Sequence, residues 1–132
     1  MIGSIRFVAL AALAATLALP SLPDARADEA IAGSWNGAGT VVFPSGERER
    51  ARCRATFRSS GSGAVMNATC STQSTRVQQT ATVDRVAPGR YRGDFRNDDF
   101  GIAGAIRIVV TGNSLHASLT GGGGTAEFQL SR

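Results

Sequence analysis

The sequence predicts an all-β protein, eight antiparallel strands in an up-and-down meander that closes into a small barrel, and three observations carry that prediction. From Gly33 onward apolar and polar residues alternate with a period of two. Clusters of Gly, Pro, Ser and Asn interrupt the alternation at hairpin intervals, and no stretch of this region places apolar residues at helical spacing. The strands fall at residues 34–43, 47–59, 64–71, 75–86, 90–96, 102–111, 114–120 and 125–131.

The connectors have hairpin chemistry. Pro44-Ser45-Gly46 suits a three-residue loop that Gly46 completes in the left-handed conformation, and Gly112-Asn113 suits a two-residue turn with positive φ at its first position. Ser60-Gly61-Ser62-Gly63 and Gly121-Gly122-Gly123-Gly124 are read as four-residue loops, and Ala87-Pro88-Gly89 as a tight reversal. These loops set registers. With Phe43 opposite Glu47, the residues Trp35, Gly37, Gly39, Val41 and Phe43 share a face with Ala51, Cys53, Ala55 and Phe57. With Arg58 opposite Val65, Cys53 lies directly across from Cys70. Facing residues on neighbouring strands have Cβ atoms about 4.5–5.5 Å apart, so a Cys53–Cys70 disulfide is expected, stabilising the fold by roughly 3 kcal/mol.

Period two assigns Met66, Ala68, Ala81, Val83, Ile106, Ile108, Leu115, Leu119, Phe128 and Leu130 to the interior, and mostly Arg, Thr, Ser, Asn and Gln to the outside. Alternation over eight strands suits a sheet curled on itself, with a two-sheet sandwich as the alternative. Many inward positions are small, among them Gly37, Gly39, Ala51, Ala55, Gly93 and Gly104. The interior is therefore either a flattened, filled core or a cavity for one small apolar ligand. The candidate cavity residues are Trp35, Glu49, Gln79, Tyr91 and Phe95, with Glu49 near the rim.

Upstream of this domain, Arg6 is followed by an apolar run over residues 7–19, about a dozen residues where a bilayer span needs about 20. Pro20 and Pro23 then precede Ala25-Arg26-Ala27, a small-x-small cleavage site. Residues 1–27 are expected to be a cleaved signal peptide, residues 28–33 a short stub, and residues 34–131 one barrel domain in the periplasm, not spanning a membrane once cleaved. No Cys near the cut supports a lipid anchor. In an exported chain the two cysteines point to a disulfide in preference to a metal or redox motif.

The net charge of +4 falls to +3 when Arg6, Arg26 and Asp24 are removed, and all 14 basic residues are arginine. Arg48, Arg50, Arg52, Arg54 and Arg58 recur at even spacing on the second strand and face outward without acidic neighbours. This row is the candidate anionic-surface site, its partners being anionic lipid or lipopolysaccharide or the acidic face of a protein, with nucleic acid not expected. A solvated face that keeps the protein soluble is the alternative. No catalytic, metal-binding or cofactor-binding constellation is read. His116, the single histidine, lies outward as a surface residue with no plausible Ser or Cys nucleophile nearby, and Asp94, Asn97, Asp98 and Asp99 fit a turn better than a Ca²⁺ loop.

Gly33-Ser34-Trp35 resembles the Gly-x-Trp that opens the first strand of lipocalins and avidins, the calycin-like barrels, and the resemblance implies a barrel with Trp35 plugging one end. The length, the early Gly-x-Trp and the single disulfide also look like the periplasmic barrels that inhibit secreted metalloproteases. That resemblance implies insertion of an N-terminal segment, here residues 28–32, into a protease cleft. Gly-Ser-Trp, the Pro-Ser-Gly turn and Arg-Cys-Arg-Ala together resemble exported proteins of Gram-negative bacteria, which implies a compartment and no activity. The expected function is a non-enzymatic exported barrel that binds a small amphiphile or an anionic envelope surface. A periplasmic protease inhibitor and a structural envelope protein without a discrete ligand are the alternatives.

Overall fold

A computed structural model describes residues 3–4, 11–20 and 31–132. The cleavage site at Ala25-Arg26-Ala27, most of the proposed signal peptide and residues 28–30 of the stub lie outside the described residues. Residues 11–20 have no helix or strand, and Leu13, Leu17 and Leu19 are 88–93% exposed, so they add nothing to the core.

The eight strands are β1 (Gly33–Val42), β2 (Arg48–Ser60), β3 (Gly63–Ser71), β4 (Arg76–Ala87), β5 (Arg90–Asn97), β6 (Ile102–Thr111), β7 (Ser114–Gly121) and β8 (Gly124–Ser131). Each pairs antiparallel with the next, and β8 pairs antiparallel with β1 to close the barrel. Closure leaves no ladder of unpaired backbone groups, which is how a small sheet avoids edge-to-edge association. The expected registers hold: Trp35 faces Ala55 and Val42 faces Arg48, while Cys53 faces Cys70 and Arg58 faces Val65.

Two hairpins are tighter than the four-residue loops expected. The strands continue pairing to Ser60 opposite Gly63 and Gly121 opposite Gly124, leaving only Gly61-Ser62 and Gly122-Gly123 as turns. Positive φ at Gly61 (57°), Gly122 (61°) and Gly123 (81°) is the reason, because such turns follow the right-handed twist of the flanking strands and let the ladder run to its end. Gly46 takes a φ of 88° and Gly112 one of 59°, as their loops require. A register shift between Arg85 and Ala87 bulges β4 at Val86, which lies on the outward parity of the strand and is 59% exposed.

Inward residues from all eight strands build one core, with Trp35, Ile106, Ile108, Leu115 and Val83 among its most deeply buried members. Ile31, read as part of the stub, is also fully buried, and Gly33 already belongs to β1. Core glycines let strands approach closely. A Cβ on Gly39 would run into the Glu127 carbonyl oxygen and the Phe128 ring.

Cys53 and Cys70 form a disulfide with Cα atoms 4.1 Å apart, and no described cysteine is free. The bridge closes a loop of 17 positions, so the double substitution Cys53→Ala, Cys70→Ala is expected to lower stability by about 3 kcal/mol. Urea unfolding of oxidised wild type against the double variant measures this. Coincident midpoints would show that the bridge does not stabilise the fold.

Candidate functional site

The two ends of the barrel differ. At the end holding the start of β1, the Trp35 indole fills the interior and its Nε1 donates to the Ile31 carbonyl at 2.9 Å. The Arg132 guanidinium lies 4.4 Å over the same ring, and its Nη1 donates to the Ala32 carbonyl at 3.0 Å. The Arg132 backbone N–H donates to the Asn113 carbonyl at 3.2 Å, fastening the residue that follows β8 across this opening. Tyr91 and Phe57 are buried at the same level, where β2 finishes and β5 begins. Apolar packing, an indole hydrogen bond and a cation over its face thus seal this end.

At the opposite end, where β1 finishes and β2 begins, the barrel opens into a funnel of about 270 Å³. Ala51, Cys70, Gln79, Phe95 and Phe128 form its deeper wall, and Phe43, Pro44, Phe100, Ile102 and Ala126 its upper wall. No charged side chain lines it; the polar ones are Thr72, Thr75, Gln79, Asn97 and Thr125. Below the funnel a void of only about 20 Å³ is left. The interior is therefore filled in its lower half and open in its upper half.

Three solved β-barrels show the same architecture. The redesigned barrel mFAP1 bound to DFHBI superimposes with a TM-score of 0.68 at 13% identity, over 81% of this chain and 99% of its own. A second redesigned barrel gives 0.64 at 13% identity over 81% and 95%, and a de novo designed fluorescence-activating barrel gives 0.62 at 14% identity over 80% and 96%. No family model and no curated protein matches the sequence. The chain is a closed eight-stranded barrel of this kind.

Within this barrel the five candidate cavity residues separate. Phe95 and Gln79 line the funnel, whereas Trp35 and Tyr91 fill the sealed end. Gln79 lies between the funnel and the small void, and its amide makes no hydrogen bond to another described residue. Glu49 is held at the rim: its two carboxylate oxygens accept from the Ser74 N–H at 3.1 Å and the Ser74 hydroxyl at 2.9 Å. It thereby fixes the turn between β3 and β4 beside the mouth. Asn97 Oδ1 accepts from the Phe100 N–H at 3.3 Å, and Asp99 accepts from the Gln78 N–H at 3.0 Å. These bonds hold the loop from which Phe100, 57% exposed, overhangs the opening.

Phe43, Asn97, Phe100 and Ala126 were not among the sequence-derived cavity residues. Phe43 shared the inward parity, but Phe100 lies in a turn where strand parity gives no direction.

On the outside, Arg48, Arg50, Arg52, Arg54 and Arg58 are all exposed along β2, as expected. Arg54 Nε donates to Asn36 Oδ1 at 3.2 Å, and none of the five has a carboxylate partner among the described residues. The acidic turn behaves as a turn: Asp98 pairs with Arg96 at 3.1 Å, and no cluster of metal-ligating side chains occurs among the described residues. His116 differs from expectation. Its Nε2 is 3.4 Å from the Ser118 hydroxyl and its Nδ1 is 3.2 Å from Gln129 Oε1. Ser118, two residues on, shares the face of His116, and the group across the ladder is a neutral amide in place of the carboxylate that orients a catalytic histidine.

Proposed function

We propose that the protein is a non-enzymatic binding module, exported to the periplasm by residues 1–27, that holds a small apolar or weakly amphiphilic molecule in the funnel. The observation that carries this reading is the asymmetry of the barrel: one end sealed by Trp35 and the other opening into an apolar, uncharged funnel of about 270 Å³. Pockets for drug-sized ligands occupy about 300–1,000 Å³, so the expected occupant lies at or below the small end of that class. An ionised group inside the funnel would lose its hydration without gaining a counter-charge, so any charged end of the ligand stays at the mouth. Gln79, an amide in an otherwise apolar wall, is placed to orient a ligand carbonyl or hydroxyl. The redesigned barrel mFAP1, which has the same architecture, is bound to DFHBI, so the fold is compatible with such a role.

Ala126→Phe tests the proposal, because Ala126 is partly buried on the upper wall and a phenyl ring there occupies the funnel. Titration with an apolar fluorescent probe such as 1-aminoanthracene should show binding to wild type and at least tenfold weaker binding to the variant, with unchanged circular dichroism. Equal affinity for the two proteins would exclude the funnel as the site. A native mass spectrum of protein from its own compartment would then show whether a captive ligand leaves on denaturation.

A further inference from the structure

The outer wall of β2 carries an open groove separate from the funnel. Alternate residues of a strand stand about 6.7 Å apart on one face, and β2 sets Arg48, Arg50, Arg52 and Arg54 at that interval with Arg58 beyond them. Arg52 faces Ser71 on β3, and Ser71 faces Arg76 on β4. The next row reads Asn36, Arg54, Thr69 across β1, β2 and β3. These six residues line one open groove on the wall, so three guanidiniums surround two hydroxyls and an amide.

No ion pair neutralises them among the described residues, and Asp99, which reaches the neighbouring stretch of β4, accepts from the Gln78 N–H. Among the described residues Arg52, Arg54 and Arg76 have no carboxylate within ion-pair distance. Glu49 is engaged by Ser74 at the rim. On the other side of the barrel Arg96 pairs with Asp98, and Arg92 stands between Asp84 and Arg107 in register. Planar guanidinium forks match phosphate and sulfate oxygens bidentately, and unneutralised rows of them draw in polyanions.

The flanks of the row narrow the choice of partner. Beside Arg52 and Arg54 they are Asn36, Ala38, Thr69 and Ser71, small or hydrogen-bonding side chains, and the larger apolar ones that face the row, Val42 and Val65, stand at its two ends opposite Arg48 and Arg58. Single-stranded nucleic acids take aromatic platforms beside the basic groove, and surface-seeking membrane segments set large apolar side chains beside the charges. Here Trp35, Phe57, Tyr91, Phe95 and Phe128 are buried inside the barrel, and Phe43 and Phe100 lie at the mouth. We infer that the β2 wall docks a linear polysaccharide bearing sulfate or phosphate esters, with Arg52, Arg54 and Arg76 around one oxyanion and the hydroxyl and amide groups on the sugar hydroxyls.

Heparin, a linear sulfated polysaccharide, is the probe, and two triple variants of equal charge change separate the site from bulk basicity. Arg52→Gln, Arg54→Gln, Arg76→Gln should weaken heparin binding at least tenfold at 0.1 M salt. Arg90→Gln, Arg92→Gln, Arg107→Gln, on β5 and β6, should stay within twofold of wild type. All six side chains are exposed, so both variants should keep the wild-type thermal midpoint. In wild type, a heparin oligosaccharide should also shift the Nε–H resonances of Arg52, Arg54 and Arg76 ahead of those of Arg90, Arg92 and Arg107. Equal losses in the two variants, or no binding by wild type, would overturn the inference. So would duplex DNA or vesicles of anionic phospholipid binding more tightly than heparin at matched charge, since the wall would then serve a nucleic acid or a membrane.

Discussion

Trp35→Ala should lower the unfolding free energy by about 3–5 kcal/mol, the range for deleting a large aromatic side chain from a packed core. Trp35 is fully buried, and three separate interactions end with it: the apolar plug, the hydrogen bond from Nε1 to Ile31, and the stacking of the Arg132 guanidinium. Ile31 would lose its hydrogen-bond partner and Arg132 the ring beneath its guanidinium, so the segments that flank β1 and β8 at this end should loosen together. Chemical denaturation of wild type, Trp35→Ala and Trp35→Phe resolves the parts. The phenylalanine variant retains most of the apolar volume and should lose only about 1–2 kcal/mol, from the missing donor and the smaller ring. If alanine costs no more than phenylalanine, the plug is not what holds this end shut.

Gly39→Val should cost above about 4 kcal/mol, a range that single substitutions reach only through a specific steric or electrostatic fault. The fault is identifiable. A Cβ at this position meets the Glu127 carbonyl oxygen and the Phe128 ring, and the first of these is backbone that no rotamer change can move aside. Gly39 pairs with Phe128 across β1 and β8, so relief requires opening the ladder that closes the barrel. The backbone groups released there would sit in a largely apolar setting at about 1–3 kcal/mol each. Far-UV circular dichroism and thermal unfolding report the outcome; a variant with a wild-type midpoint would show that the strands have room to separate at this crossing.

Much of the fold was legible because strand parity and hairpin chemistry are local. The alternation along β2 set Ala51, Cys53, Ala55 and Phe57 inward, and the loops on either side then fixed its registers. The pairing of Cys53 with Cys70 followed from one such register, independently of any rule about cysteines. The turn lengths were less legible, since a run such as Gly121-Gly122-Gly123-Gly124 does not reveal how far pairing continues into it.

The site was harder to read for a geometric reason. Trp35, Tyr91 and Phe95 share the inward parity, yet two lie at the sealed end and one in the funnel. Depth along the axis depends on the tilt and stagger of the closed sheet, which no single strand encodes. Glu49 shared that parity as well, but its position at the start of β2 brings it against Ser74, whose backbone and hydroxyl capture it. Arg76 was missed for the opposite reason: reaching it from Arg52 needs two registers in succession, through Ser71.

The pairing of β1 with β8 has a consequence for how the chain reaches its native state. Seven of the eight ladders join strands adjacent in sequence, and each can form by zipping from its own turn. The eighth joins Val42 to Thr125 and Asn36 to Ser131, so it cannot nucleate locally and must wait for the two ends of the meander to meet. Before that event β1 and β8 expose a free edge each, Trp35 has no complete cavity to fill, and Arg132 has no ring to stack on. The slow phase of folding should therefore be the joining of the first and last strands, and the species that precedes it is the one most exposed to pairing with another copy of itself.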